Sequence, residues 1–451
     1  MLPKNLLEYL LKKYPNHKWS NDGLLVNPNI TIEFIEKYAK GRKFNTLLNE
    51  KVIYNPNPNL LLEIIEKYPK KKFLYRFLKS GCDSNKLIEK YINTYKNKQL
   101  LFDRLGYNRN SNLELFKKYP DKDWNLYSIS SNLSLTIEIL EKFPDKDWHW
   151  GGKYGGGIST NPALTIEILE KFRDKYWKWG QYGISSNPAL TIEMLEKFPD
   201  KPWDWGRDGI SSNPALTIEM LEKFPDKPWN FDDYHFGISS NPALTIEMLE
   251  KFPDKPWNFN EYTGISSNPA LTIEMLEKFP NKEWDFGDIS SNSALTIEML
   301  EKFPDKPWDF GNISSNSALT IEMLEKFPDK KWHWGQYGIS SNSSFTFKMF
   351  EKFPNKPWNI DHILYYHPFK LKIIEKYLNK IDWLMLSKSP NITKKIIEKY
   401  INKIDFFSLS FNEFTYHNKI IKEISKKIKL FYYLSLVKVI YDIKRYITTF
   451  F

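Results

Sequence analysis

ISSNPALTIEMLEKFPDKPWDWG, residues 184–206, and ISSNSALTIEMLEKFPDKPWDFG, residues 289–311, differ at two positions. Between and around them the same phrase recurs. Its anchor asparagine stands at Asn132, Asn161, Asn187, Asn213, Asn241, Asn268, Asn292, Asn316 and Asn342. The successive spacings are 29, 26, 26, 28, 27, 24, 24 and 26, so the minimal unit is 24 residues and some copies carry insertions. A period of this size marks a repeat architecture, in which one unit cannot bury its apolar face alone and stacking completes the core. Each unit then touches only its neighbours, and the 451-residue length no longer sets a domain count.

In the unit at Asn292, Leu295, Met299 and Phe303 fall within a narrow arc at about 100° per residue. Ile297 and Leu300 widen the arc, and Glu298, Glu301 and Lys302 fill the opposite side. The Met299–Leu300 pair breaks strict alternation, which argues against a strand. In the Asn-Pro copies the proline pushes Asn out of the α region, so Asn reads as a turn or N-cap with Pro in the first turn. Pro304 stops the helix, which predicts about ten helical residues per unit. The second half, PDKPWDFGDIS in its simplest form, is Pro-opened and carries Trp308 and Phe310 two residues apart. It suits a short α or 3-10 turn that packs its aromatics behind the first helix.

Looser copies extend the pattern: from Asn27 and Asn57 upstream, in two degenerate units ending at Tyr91 and Tyr119, and from His367 and Ser389 downstream. The sequence therefore predicts an all-α fold, an α-solenoid of about fifteen units, each a long helix plus a short α or 3-10 helix, in a curved superhelix. Divergent basic repeats and a cap would occupy 1–128, the regular array 129–364, and divergent basic repeats with capping helices 365–451. A leucine-rich-repeat horseshoe competes, because ISSN followed by Leu resembles its strand and asparagine. The variable insertions, however, fall where that strand would lie, and strand register does not tolerate them.

The net charge of +10 is uneven. Residues 1–128 hold 24 Lys/Arg against 13 Asp/Glu, residues 365–451 hold 17 against 7, and the middle is acidic. A nucleic-acid solenoid would repeat its basic residues within the units. The basic ends leave contact with a nucleic acid or other polyanion as the alternative to solvated lysines on helix faces. Cys82 is the single cysteine, which excludes an internal disulfide or cysteine cluster and suits a reducing, intracellular compartment. The opening MLPKNLLEYLLKKYP reads as an amphipathic helix and not a signal peptide. The C-terminal LFYYLSLVKVIYDIKRYITTFF is interrupted by Lys438 and Asp442 and falls short of a transmembrane segment; it reads as a capping helix pair.

The pattern NPNITIEFIEKY followed by PDKPW segments resembles tandem-repeat proteins of giant DNA viruses of the mimivirus type. That resemblance implies expression in an infected host cell, with the cytoplasm or the virion as its place, and brings no activity with it. More distantly, SNPALTIEMLEKFPDKPW is similar to the leucine-rich-repeat variant, whose units alternate α and 3-10 helices. Some of its members carry an iron–sulfur cluster on cysteines, which Cys82 alone does not match. No cofactor is expected.

No catalytic constellation stands out. The seven histidines show no metal-ligand spacing, and His149 and His333 share a slot, between two tryptophans, that holds Asp or Asn elsewhere. The Glu pair of each unit, such as Glu219 and Glu222, reads as a solvated stripe because it repeats in every copy. The tryptophan series from Trp124 to Trp358 reads as one core ring per unit, with an exposed stacking platform as the sharper alternative. Individuality is confined to the insertions between the second aromatic and Ile, which stacking would bring to one edge. They carry Tyr154, Tyr182, Arg207, Tyr234, His235, Tyr262 and Tyr337, residue types suited to adaptable recognition. The expectation is a non-enzymatic scaffold for a host or viral protein partner, with a structural virion role as a further alternative.

Overall fold

A computed structural model describes residues 5–38, 52, 55–67, 113–152, 156–232, 237–260 and 263–423. These residues form helices and no strand, stacked unit upon unit as an α-solenoid. They fall into two compact units: residues 74–333 with 346–354, and residues 1–73 with 334–345 and 355–451. The C-terminal stretch expected as a capping helix pair, and the degenerate unit ending at Tyr91, lie outside the described residues.

In the first of these units, each repeat follows one plan. Asn187 is extended at φ −79 and ψ 127, the conformation that Pro188 favours in its predecessor. A turn follows, closed by Leu190 N–H to Asn187 O at 3.0 Å, and the helix begins only at Ile192. Thr191 is its N-cap, accepting from Met194 N–H. The helix Ile192–Lys197 has six residues, not the expected ten. Asn187 is committed to an extended conformation before it, and Phe198 precedes Pro199 after it. The Trp203 indole N–H then donates to the Phe198 carbonyl at 2.9 Å, satisfying a group the helix end leaves open. Ile184, Leu190, Met194, Leu195, Phe198, Trp203 and Trp205 are the repeat's buried apolar residues.

The second piece depends on the insertion. Where asparagine spacing is 24, the chain runs directly into six-residue α-helices, Phe286–Ser291 and Phe310–Ser315, capped by Asp285 and Asp309. Where residues are inserted, as before Ile184 or Ile210, only a three-residue 3-10 turn remains.

Neighbouring repeats are joined by the anchor asparagine. Asn187 is buried and its amide nitrogen donates to two backbone carbonyls of the preceding repeat, Ser159 at 3.0 Å and Asn161 at 3.0 Å. Its Oδ1 accepts from Ala189 N–H at 2.9 Å, holding the turn. The same double donation runs from Asn161 to Asn316. A parallel serine series supports it. Ser185 is fully buried, donates to Trp179 O at 2.7 Å and accepts Asp204 N–H of the next repeat at 2.9 Å.

The other compact unit shows a feature with no counterpart in the sequence reading. Asn412 donates to Ser387 and Ser389 carbonyls, and Asn27 donates to Ser410 and Asn412 carbonyls at 2.9 and 2.8 Å. Asn55 in turn donates to Leu25 and Asn27. The stack therefore continues from the repeat at Asn412 directly into the repeat at Asn27, across more than 380 positions of chain. Repeats from the two divergent basic regions thus meet each other here. The upstream copy is also anchored two residues earlier than expected, at Asn55; Asn57 instead donates to Pro28 O. At the junction a Cβ on Gly23 would lie 2.8 Å from the Phe411 ring and 2.9 Å from Ser410 Cβ.

Two outcomes follow from this geometry. Asn241→Ala removes the buried donations to the Ser211 and Asn213 carbonyls, the latter keeping only its Leu216 N–H, so it is expected to lower stability by about 2–4 kcal/mol in a denaturant titration. Gly23→Leu favours its own helix but wedges the junction; hydrogen exchange is expected to rise at residues 20–27 and 406–418 and stay unchanged at 184–316.

Candidate interaction surface

The helix-bearing side of the regular array is largely committed to the stack. The last lysine of each helix pairs with the second glutamate of the preceding one: Lys197 with Glu170, Lys223 with Glu196, Lys251 with Glu222, and so on to Lys352 with Glu325. These pairs are half-exposed, so each contributes little alone. The first glutamate, such as Glu219, sits at the helix N-terminus. Its carboxyl is held below the ordinary 4.5 by the Thr217 hydroxyl and its own backbone N–H. The two carboxylates expected as a plain solvated stripe thus have separate tasks, one capping a helix and one bridging repeats. Between consecutive helices lies an open groove of about 720 Å³, lined by Leu190, Ile192, Ala215, Thr217 and Met220. Other repeats carry the same residue types there, so the groove has no individuality.

The tryptophan rings pack against the neighbouring repeat. Trp203 meets the Trp179 ring of the preceding repeat edge to face, with centroids 5.1 Å apart and planes at 78°. The same contact recurs at Trp229 on Trp205 and Trp308 on Phe286. Lys201 lies over the same Trp179 ring at 5.4 Å, and Lys227 over Trp205 at 5.5 Å. The rings are joints between repeats, and the lysine beside each is drawn onto them.

The insertion edge is different. Tyr154, Tyr234, His235 and Tyr262 lie outside the described residues. Tyr182 is 55% exposed and holds a positive φ of 55, a strained setting for a non-glycine residue. Arg207, in the next insertion, is exposed, and the two loops are tied by Gln181 Nε2 donating to Asp208 Oδ2 at 2.7 Å. Stacking therefore does bring adjacent insertions together at this point. Tyr337 is 75% exposed and belongs to the other compact unit. Sequence reading missed Tyr176, also 75% exposed, in the slot that holds proline in the plainest copies. An aromatic standing where a turn residue is the rule was the available signal.

The histidine slots resolve simply. His149 and His333 use their backbone N–H to reach Ser130 and Ser314 of the preceding repeat, at 3.0 and 2.8 Å. The task is on the backbone, so the side chain can vary. His367 is more consequential, because it occupies an anchor-asparagine position. It is buried and donates to the Ser340 carbonyl, and its Nε2 is buried with no partner. Burial lowers its pKa below the ordinary 6.5. Among the described residues no three His, Cys, Asp or Glu side chains gather as a metal site, and no helix is long and apolar enough to cross a membrane. Compared with known proteins, the chain matches no family model, no curated protein and no solved structure.

A pH dependence follows. A histidine with a depressed folded-state pKa takes up its proton more readily in the unfolded chain. Its neutral form supports folding above pH 6.5, and that support is lost as pH falls below it. His367→Asn restores a two-donor amide, so melting temperature is expected to rise and to change less between pH 6.5 and about 5 than in the wild type.

Proposed function

We propose that the chain is a non-enzymatic scaffold that holds a protein partner along the insertion edge of its regular array. The observation that carries this is the setting of Tyr182: an exposed ring on a strained backbone, beside exposed Arg207, with the two loops tied together by Gln181 and Asp208. Tyrosine and arginine on a rigid support contribute large contact areas at low entropic cost, and strain in an exposed loop is retained where it positions a side chain. Tyr176 adds a further exposed ring in the same repeat. Elsewhere the repeated residues are spent on one another, in ion pairs, amide donations and ring contacts. The resemblance to tandem-repeat proteins of giant DNA viruses supports a host or viral partner met in the cytoplasm of an infected cell.

The test is quantitative affinity purification from infected cells with a triple variant, Tyr176→Ser, Tyr182→Gly and Arg207→Ser. Glycine at 182 keeps the backbone and relieves its strain, so the fold is expected to melt at the same temperature or higher. Recovery of the specific partner should fall at least about tenfold, the loss of one hot-spot contact of 1.4 kcal/mol or more. Undiminished recovery of every partner with the triple variant would retire this reading.

A further inference from the structure

The junction between the repeats at Asn412 and Asn27 reproduces, point for point, the joint between covalently consecutive repeats. In the array, the residue after Trp donates its N–H to a buried serine of the preceding repeat; here Ser20 N–H, after Trp19, donates to Ser410 Oγ at 2.8 Å. In the array, from Trp177 onward, the Trp meets the preceding repeat's second aromatic edge to face; here Trp19 meets Phe406 at 4.9 Å and 79°. In the array, the last helical lysine pairs with the preceding helix's glutamate; here Lys13 of helix Leu6–Lys13 pairs with Glu398 of helix Lys394–Lys399. The Asn27 amide completes the series. Added to these are Tyr9 OH donating to Glu398, Lys394 over the Tyr9 ring at 4.2 Å, and Asn418 donating to Asn29.

What differs is the connection. Within the array the chain runs from each repeat into the one it joins, so neither side of a joint can find another copy. Here the two faces are complementary, complete and joined by no short stretch of chain. We propose that this junction is exchangeable between copies: residues 5–38 of one chain seat on residues 394–418 of a second chain, in the same register, giving self-association by swapped repeats. Identical contacts form either way, so only concentration and the constraint of the intervening chain choose between them. The contact is heterologous, one face onto a different face, so it propagates head to tail or closes reciprocally between two copies. At low concentration the intrachain junction prevails, because the tethered faces stay near each other while a second copy becomes scarce.

The ion pair at the junction supplies its own reporter. Lys13 and Glu398 are in contact, so a carbodiimide joins them by an amide, and that linked peptide pair occurs at no other joint. Full-length protein with natural nitrogen and full-length protein labelled with ¹⁵N are mixed, unfolded together, refolded at high concentration, cross-linked and digested. The expected result is a Lys13–Glu398 peptide pair of mixed isotope composition, approaching half of that pair in the dimer fraction from size exclusion and falling away on refolding at high dilution. A Lys13–Glu398 pair found only in the two pure isotope forms at every concentration overturns the proposal. So does a dimer whose Lys13–Glu398 links are all within one copy, since its interface would lie elsewhere.

Discussion

A side-chain amide has two N–H donors, and in this protein both are aimed at the backbone of the preceding repeat. The spacing of the units, the extended residue before each turn and the short helices all depend on that arrangement. Each anchor asparagine is buried, so its donors and the carbonyls they reach have no water to fall back on. A repeat shifted by one residue against its neighbour would strand at least three buried groups at once. The apolar residues make the stack favourable; the asparagines and serines fix its register. Leu, Met and Ile alone tolerate sliding, as cores of similar volume do.

His367 and Ser389 show what happens when the anchor changes. Ser389 donates to Leu364 and Tyr365 with its single hydroxyl, and the neighbouring Asn391 donates to Tyr365 O at 2.9 Å. The work of one amide is thus divided over two side chains. His367 has no such helper for its Nε2. Two consecutive repeats with weakened anchors lie just before the register is recovered at Asn412. The array's aromatic joints tell the same story in reverse: Trp and Phe alternate freely as the second aromatic because an edge-to-face contact accepts either ring.

Much of this was legible in the residues. The period and helical class followed from Leu295, Met299 and Phe303, and the tryptophans' core role followed from their presence in every copy. Helix length was not legible, because an apolar pattern records which residues face the core and not whether the turn before Thr191 is helical. The anchor at Asn55 was obscured by a second Asn-Pro two residues later; only the carbonyls it reaches distinguish the two. The junction of Asn27 with Asn412 was invisible for a different reason. Repeat grammar describes how each unit meets the next one in sequence, and it carries no term for units meeting across the whole chain. Of the recognition candidates, Tyr182, Arg207 and Tyr337 stand exposed as their loop positions implied, while Tyr176 hid in a slot read as a turn.

That junction also sets an order of events during synthesis. Every joint of the regular array can form once the next two dozen or so residues have been made. The face carrying Trp19, Gly23 and Asn27 must wait for Ser410 and Asn412. At about 5–20 residues per second, the interval is of the order of 20–80 seconds. Throughout that time the nascent chain bears an uncovered surface shaped to accept any correctly presented repeat, including one from a neighbouring ribosome on the same message. Residues around Asn27 are thus made long before the surface that covers them, and they must be kept from wrong pairings until then.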